Sequence, residues 1–116
     1  SALVSYVDIY PTLCELAGID LPSHLEGESM VDIMNHPEKT GGMEFCRYPN
    51  GETVVTEQFA YTEYYHPKDG NYLSNMLYDH AVDPQENVNV ADNPKYAEIV
   101  KELQEKLREH VRKVNQ

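Results

Sequence analysis

The sequence lacks tryptophan, is poor in cysteine and carries few basic residues, and each shortage excludes a class of protein. It has no Trp, two Cys, and nine Lys and Arg against 20 Asp and Glu, which gives a formal net charge of -11 at pH 7. Such an acidic surface repels phosphate backbones and anionic lipid, so we expect neither nucleic acid nor a membrane as partner. Two cysteines are too few for the disulfide framework of a small secreted domain.

Several motifs that mark catalytic and metal sites are also missing. Neither Cys14 nor Cys46 belongs to a CxxC pair, and the five histidines form no HExxH motif, so a zinc site is not expected. No serine lies in a GxSxG elbow, and Gly41-Gly42 lacks the Lys-Ser that completes a phosphate-binding loop. We therefore predict no catalytic residue, no metal ligand and no cofactor site within these residues.

What the sequence does contain indicates one small folded domain with helices at both ends. It has 116 residues, 41% of them hydrophobic, with nine Tyr, which is enough for a modest, tyrosine-rich core. A helix is predicted from Ile9 to Ala17, with Asp8 as its N-cap and Gly18 as its left-handed exit. Cys14 lies within this helix and is expected to pack as a small hydrophobe. A short second helix is expected between Ser29 and Pro37.

The middle of the chain predicts an antiparallel sheet, and its end predicts a long helix. Pro49-Asn50-Gly51 is a turn signal between the first two strand candidates. The helix begins at Asn93 and Pro94 and runs to about residue 113, with apolar residues at steps of three and four. The fold class is therefore α+β, a small sheet packed by a C-terminal helix. The strand candidates are Met43–Tyr48, Glu52–Thr56, Phe59–Tyr65 and Asn75–Asp79.

Two groups of side chains in the predicted sheet are open to more than one interpretation. An aromatic set either stacks on sugars or packs as half-buried sheet residues, and packing is favoured. Carboxylate pairs, Glu57 with Glu63 and Asp79 with Asp83, could share acid and base roles, although solvated strand and turn positions are commoner. The aromatic set is Phe59, Tyr61, Tyr64, Tyr65, Tyr72 and Tyr78.

Three stretches, read together, resemble the C-terminal region of sulfatases. The first, LVSYVDIYPTLCELAGI at 3–19, is similar to the family's "LVSxVDIxPTLxxLAGI", and GESM at 27–30 is similar to its "GxSL". The second, GETVVTEQFAYTEY at 51–64, resembles "GYSxRTxxYRYTEW" of iduronate-2-sulfatase-like members. The third, MLYDHAVDPQENVNVA at 76–91, is close to "ELYDxxxDPxExxNLA". The resemblance covers nearly the whole chain.

The resemblance implies an alkaline-phosphatase-like domain followed by a C-terminal subdomain of four strands and a helix. Residues 1–36 would be the tail of the N-terminal catalytic domain, and residues 37–116 the subdomain. Family chemistry uses a formylglycine made in a CxPxR motif and a divalent cation, usually calcium. Because Cys46 is followed by Arg-Tyr-Pro-Asn, both cofactors are expected in a full-length parent only. A periplasmic, secreted or lysosomal location is implied by the family alone.

The family's strands approach the mouth of the substrate pocket, so the resemblance marks candidates for the substrate entrance. These candidates are Thr56, Tyr61, Glu63, Tyr64 and His66. Val55 and Ala60 stand where the family has Arg, which removes cationic contacts to an acidic sugar and disfavours an iduronate-type substrate.

The expected function is therefore that of a fragment, which completes a sulfatase and hydrolyses nothing alone. Its parent is expected to hydrolyse sulfate esters, of a sulfated sugar or glycosaminoglycan. The alternative is a stand-alone acidic module that docks a partner through its last helix. If the opening helix normally packs on a catalytic domain, Ile9, Leu13 and Leu16 should form an exposed apolar patch, or the fragment should dimerise through it.

Overall fold

The computed structural model describes residues 2–39 and 42–115, which form two compact units. The units are Ser1–Glu44 and Phe45–Gln116. Their border lies eight residues after the predicted domain border at 36/37, and the assignment of the two parts to parent domains stays a prediction. Gly41, which we judged not to belong to a phosphate-binding loop, lies outside the described residues.

The first unit contains two helices, α1 (Ile9–Leu16) and α2 (Val31–Asn35). Gly18 ends α1 as predicted, with φ of 67°. The Gly18 amide donates to the Glu15 carbonyl at 3.1 Å, and the Ile19 amide donates to that of Cys14 at 2.9 Å. These two bonds are a Schellman motif, which satisfies carbonyls that the helix leaves unpaired. The side chain of Cys14 is buried and its thiol is free, so the packing role predicted for it is confirmed.

The prediction that the Asp8 side chain caps α1 is wrong. Its carboxylate makes no cap hydrogen bond to the helix. It accepts instead from the Ser5 amide at 2.8 Å and from the Glu28 amide at 2.9 Å. A one-turn 3-10 helix at Tyr6–Asp8 places the carboxylate beside these two amides. The carboxylate therefore binds them and not the amides of α1. Asp8 therefore joins two segments of the first unit.

Thr12 and Gly27 explain why the opening motif has its particular residues. The Thr12 hydroxyl is buried; it donates to the Asp8 carbonyl at 2.6 Å and accepts from the Met30 amide at 2.9 Å. A Cβ on Gly27 would lie 2.2 Å from the Val7 carbonyl oxygen, which no side chain tolerates. The opening motif therefore builds this unit, whatever further role it has in the family.

The second unit contains a four-stranded sheet of order β1-β2-β3-β4. β1 and β3 have the predicted bounds, β2 begins one residue early, and β4 begins at Tyr72 rather than Asn75. In the antiparallel register, Val54 lies opposite Tyr61, and Tyr61 lies opposite Leu77. The strands are β1 (Met43–Tyr48), β2 (Gly51–Thr56), β3 (Phe59–Tyr65) and β4 (Tyr72–Asp79).

The long helix α3 (Ala97–Val114) packs on β2 and β3, and the core lies between them. A 3-10 turn, Pro94–Tyr96, precedes it, and the predicted cap is confirmed because Asn93 Oδ1 accepts from the Lys95 amide at 3.0 Å. The α+β architecture is confirmed. Among the helices of the described ranges, none is both long and apolar enough to span a bilayer. The most deeply buried apolar side chains are Val54, Tyr61, Leu77, Leu103 and Leu107.

Two carboxylates that we predicted to be solvated are instead buried. Asp79 is 6% exposed and Glu63 is 0% exposed. Asp79 Oδ1 accepts from Gln58 at 3.0 Å, and its Oδ2 accepts from the Tyr96 hydroxyl at 3.0 Å. These bonds tie the end of β4 to the β2–β3 turn and to Tyr96, which directly precedes α3, so Asp79 has a structural role. Asp83 also has a structural hydrogen bond, since its carboxylate accepts from the Val88 amide at 2.8 Å.

Candidate functional site

A buried carboxylate joins the sheet to α3 close to one end of the sheet. Glu63 Oε1 accepts from the Tyr61 hydroxyl at 3.1 Å and from Gln104 Nε2 at 2.8 Å. Arg108 binds both oxygens, with Nη2 3.0 Å from Oε1 and Nε 3.3 Å from Oε2. The Tyr65 hydroxyl also donates to Oε2. The two strand tyrosines and the two helix side chains thus converge on one carboxylate, which we call the Glu63 cluster.

The protonation states of the Glu63 cluster follow from burial and hydrogen bonding. Burial raises the pKa of Glu63, but hydrogen bonds from Tyr65, Arg108 and Gln104 outweigh it, and the pKa lies below its ordinary value. Burial raises the pKa of Tyr61 to about 12. Burial and the hydrogen bond to Glu63 raise the pKa of Tyr65 well above its ordinary value. At neutral pH the cluster therefore holds one carboxylate, one guanidinium and two neutral phenols.

A cleft of about 610 Å³ opens at the end of the sheet where β1 and β3 finish. The Tyr65 amide donates to the Asn50 carbonyl at 2.9 Å, which ties the β1–β2 turn to the end of β3. A Cβ on Gly51 would lie 2.4 Å from the Tyr48 ring, so glycine lets that ring lie across the turn. The walls of the cleft include Arg47, Tyr48, Asn50, Glu52, Tyr65 and His66.

The polar groups of the cleft are held by neighbouring side chains. Arg47 Nε donates to Glu52 Oε1 at 2.6 Å, and His66 Nδ1 lies 3.1 Å from Asp69 Oδ1. A guanidinium, an imidazole and two tyrosine rings therefore face one concave surface, and Glu52 balances the charge of Arg47. Convergent polar groups between aromatic walls are suited to a ligand with many hydroxyl groups.

Of the five predicted entrance residues, the structure brings Tyr64 and His66 to this end of the sheet. His66 lines the cleft. The Tyr64 ring packs edge-on against Tyr48, a wall residue, with ring centroids 6.2 Å apart. Thr56 lies at the opposite end of β2, where its Oγ1 accepts from the Phe59 amide at 2.9 Å. Thr56 therefore closes the β2–β3 turn and is not part of the cleft.

Tyr61 and Glu63, the other two predicted residues, are both 0% exposed on the face that α3 covers. The resemblance marked them as entrance candidates, but the sequence does not show which face of a strand a helix covers. Their burial gives them a positioning role, since Glu63 binds the hydroxyl of Tyr65, and Tyr65 lines the cleft. Contact of any of the five with a substrate stays a prediction.

Arg47 and Tyr48 are cleft residues that we did not predict from the sequence, and Tyr65 was predicted only as a member of the aromatic set. Arg47 and Tyr48 directly precede the Pro-Asn-Gly turn, and His66 directly follows β3. In an antiparallel sheet with strands in sequence order, the first and third strands run in the same direction, so their C-terminal ends lie at the same end of the sheet. That rule, applied to the predicted strands, would have placed these residues beside His66.

The aromatic set does not form one sugar-stacking face. Tyr61 and Leu77 pair beneath α3, and the Phe59 ring lies edge-on to Tyr96 with centroids 6.4 Å apart. Tyr64 and Tyr78 alternate to the opposite face. The packing interpretation is therefore confirmed for Tyr61. Tyr65 and Tyr72, whose rings also meet edge-on, with centroids 6.4 Å apart, retain exposed surface near the end of the sheet.

Similarity to known proteins identifies the family of the chain. Residues 1–113 match the family described as "N-sulphoglucosamine sulphohydrolase, C-terminal". The chain belongs to this sulfatase family. Arylsulfatase K of Mus musculus is 34% identical over 121 residues, which cover 92% of this chain and 21% of that protein. The Delta 4,5-hexuronate-2-O-sulfatase of Bacteroides thetaiotaomicron is 35% identical over 107 residues, which cover 83% of this chain and 21% of that protein.

A solved structure also matches this chain. It holds a protein in complex with its substrate, D-glucosamine-2-N,6-O-disulfate, and matches with a TM-score of 0.70 and 25% identity. The match covers 89% of this chain and 23% of that one. The predicted resemblance to sulfatases is thus confirmed. The chain spans 21% of the length of the curated relatives named above.

The described residues do not fit a metal centre. Within residues 2–39 and 42–115, no group of three or more His, Cys, Asp or Glu is placed so that it could hold a metal ion. The acidic side chains of the cleft and the Glu63 cluster are instead engaged with arginines, Glu52 with Arg47 and Glu63 with Arg108.

Proposed function

We propose that this chain is the C-terminal subdomain of a sulfatase that hydrolyses sulfate esters of a sulfated sugar or glycosaminoglycan. The family match over residues 1–113 carries the proposal. The subdomain completes the fold of the enzyme, and its cleft lines the substrate entrance. The catalytic centre, with the calcium and formylglycine that the resemblance implies, lies in an N-terminal catalytic domain outside these residues.

The chemistry of the cleft supports a sugar as the substrate class. Tyr48 and Tyr65 offer ring surface, while Arg47, Asn50 and His66 offer hydrogen-bonding groups. One curated relative is named for a hexuronate sulfate, and the solved structure holds a sulfated glucosamine. Both are sulfated sugars, and we extend that substrate class, without a particular member, to the parent of this chain.

The rival function, an acidic module that docks a partner through its last helix, is less well supported. The apolar stripe of α3 is already covered by the sheet, since Leu103 and Leu107 are 4% and 1% exposed. A helix that docked a partner through this stripe would have to leave its own core. An upstream reading frame that is continuous with this chain and encodes CxPxR would decide for the sulfatase, whereas a start codon at residue 1 would decide for the module.

The test of the entrance role uses the whole enzyme and the variant His66→Ala. We expect KM for a sulfated disaccharide to rise by about threefold to tenfold, as for the loss of one hydrogen bond to a ligand. Turnover of a small aryl sulfate should stay within about twofold, because that substrate lacks the extended sugar. The control, Lys68→Ala, changes an exposed residue of the same loop that does not line the cleft.

An unchanged KM in His66→Ala, or an equal rise of KM in Lys68→Ala, would contradict the proposal that the cleft lines the substrate entrance. A separate measurement tests the location of the catalytic centre. The purified chain of 116 residues should not hydrolyse an aryl sulfate, and hydrolysis by it would place catalytic groups within these residues.

A further inference from the structure

A second cavity lies on α3, beside two arginines of a chain whose net charge is -11. Its volume is about 480 Å³. Arg108 and Arg112 are four residues apart, so both side chains lie on the same side of the helix. We call this cavity the arginine groove, and its lining residues are Tyr65, Glu105, Arg108, Val111 and Arg112.

A buried carboxylate holds the Arg108 guanidinium in place but leaves some of its N–H donors without a bond to Glu63. Its Nε and Nη2 donate to Glu63, which is fully buried, while the Arg108 side chain is 50% exposed. A guanidinium has five N–H donors in a rigid fork, and these bonds leave N–H groups of Nη1 and Nη2 for a ligand. Because Glu63 fixes the fork, ligand binding costs little side-chain entropy.

Arg112 is anchored in a similar way through one donor. Its Nε donates to the Arg108 carbonyl at 3.2 Å, which leaves the four N–H groups of Nη1 and Nη2. Each of these guanidinium groups can donate paired hydrogen bonds to the oxygens of a sulfate or carboxylate group. Glu105 also lines the groove, and its charge opposes an anion there.

Aromatic surface adjoins the two arginines. Tyr65 lines both the arginine groove and the cleft at the end of the sheet. The ring of Tyr72, which packs edge-on against Tyr65 at 6.4 Å, is 48% exposed. A sugar ring packs well on such surfaces, because its C–H face is apolar and its hydroxyl groups point sideways. The site therefore combines guanidinium groups that can bind an anion with tyrosine rings on which a sugar can stack.

We propose that the arginine groove binds the sulfate or carboxylate group of an anionic saccharide. The choice of a saccharide rests on the proposed function. Because Tyr65 lines both cavities, a saccharide of two or more residues that occupies the cleft would place an anionic group in the groove. The groove would then favour substrates that carry a second anionic group beyond the one at the catalytic centre.

The test is a titration of the isotopically labelled chain, followed by NMR of the arginine Nε–H and tyrosine ring signals. The probes are glucose 6-sulfate, glucuronate and glucose. The two anionic sugars should shift the signals of Arg112 and Tyr65, glucose should not, and the stronger of the two identifies the preferred oxyanion. Added NaCl should weaken binding through screening.

Three variants separate the groove from general charge effects. Arg112→Gln should lower the affinity for the anionic sugars by about fivefold or more. Lys113→Gln removes the same charge next in the chain, from a side chain that pairs with Glu109 at 2.8 Å, and should change the affinity by less than about twofold. Glu105→Gln should raise the affinity, because it removes the opposing carboxylate.

Two results would contradict anion binding in the groove. One is that glucose shifts the NMR signals as much as the anionic sugars do, and the other is that Arg112→Gln and Lys113→Gln lose equal affinity. The absence of shifts at Arg112 and Tyr65 at saturating sugar would also contradict it. These outcomes are distinct from a failure of the proposed function, which is judged by turnover and KM in the whole enzyme. If the whole enzyme has the expected turnover but the groove binds no anion, only the proposal of anion binding in the groove is refuted.

Discussion

At the scale of single residues, Glu63 connects the packing of the fold to both cavities. It is fully buried, and its partners come from β3 and α3. A buried charge is costly unless it is paired and hydrogen-bonded, and Arg108, Gln104 and the tyrosines meet that requirement. Through the same bonds Glu63 fixes Tyr65 and Arg108, which line the arginine groove.

Glu63→Gln should destabilise the chain by about 2–4 kcal/mol at pH 7. The change leaves the Arg108 guanidinium without its counter-charge and places an amide where five donors from four side chains converge. Urea unfolding followed by circular dichroism measures the loss. The control is Glu102→Gln, the same change at an exposed carboxylate that pairs with Lys106 at 2.5 Å, and it should cost less than about 0.5 kcal/mol. Equal losses would contradict a special role for Glu63.

Acid should remove the contribution of Glu63 in a defined pH window. The pKa of Glu63 in the folded chain lies below its ordinary value of 4.5, so the unfolded chain binds this proton more tightly. The stabilisation is therefore complete above about pH 4.5 and is lost as the pH falls through the lowered folded pKa. Urea unfolding of the unaltered chain should show a steeper acid loss than that of Glu63→Gln. Parallel curves would show that Glu63 does not titrate as described.

At the scale of elements, α3 is held by an apolar stripe that matches the covered face of the sheet. Leu103 and Leu107 are 4% and 1% exposed, and they lie over a face that includes Val54, Tyr61 and Leu77. Asn93 caps the 3-10 turn that leads into the helix. The helix thus covers the sheet and, through Arg108, forms one wall of the arginine groove.

Leu107→Ala should destabilise the second unit by about 2–5 kcal/mol, because it leaves a cavity between helix and sheet. Leu73→Ala is the matched control, since Leu73 is 55% exposed on β4, and it should cost less than about 1 kcal/mol. Urea midpoints of both variants give the comparison. Equal midpoints would mean that α3 does not hold the sheet through this contact.

At the scale of the whole molecule, the first unit exposes a set of apolar side chains. Ile9, Leu13 and Leu16 are 43%, 58% and 59% exposed, so the exposure predicted for them from the sequence is found. Contiguous apolar surface favours a partner. In the proposed sulfatase that partner is the catalytic domain, while for the separate chain we predicted either an exposed patch or a dimer formed through it.

The separate chain should therefore dimerise, and the double variant Leu13→Ser, Leu16→Ser should weaken dimerisation. Because both side chains are exposed, the double variant should lose little folding stability. Sedimentation equilibrium over a range of concentrations measures the association. Leu73→Ser, at an exposed leucine of the second unit, is the control. A chain that is monomeric at every concentration, or dimers unaffected by the double variant, would contradict this prediction.

The sequence alone determined the family and most of the secondary structure, because both depend on local patterns. Strand-forming residues bounded by turn signals predicted the bounds of β1 and β3, and the Asn-Pro pair marked the 3-10 turn that leads into the last helix. Motifs of the opening helix, the strand pair and the segment after β4 identified the sulfatase resemblance. Each of these signals is contained within about twenty consecutive residues.

Only the tertiary structure decided which residues form the two cavities. Alternation along β3 predicts two faces but does not say which one α3 covers, so Tyr61 and Glu63 were named as entrance candidates although the helix buries them. Glu63 meets Arg108 across 45 positions of sequence, and no local pattern reports such a pair. The cleft likewise arises because antiparallel pairing brings the end of β1 beside the end of β3, which is a property of the assembled sheet.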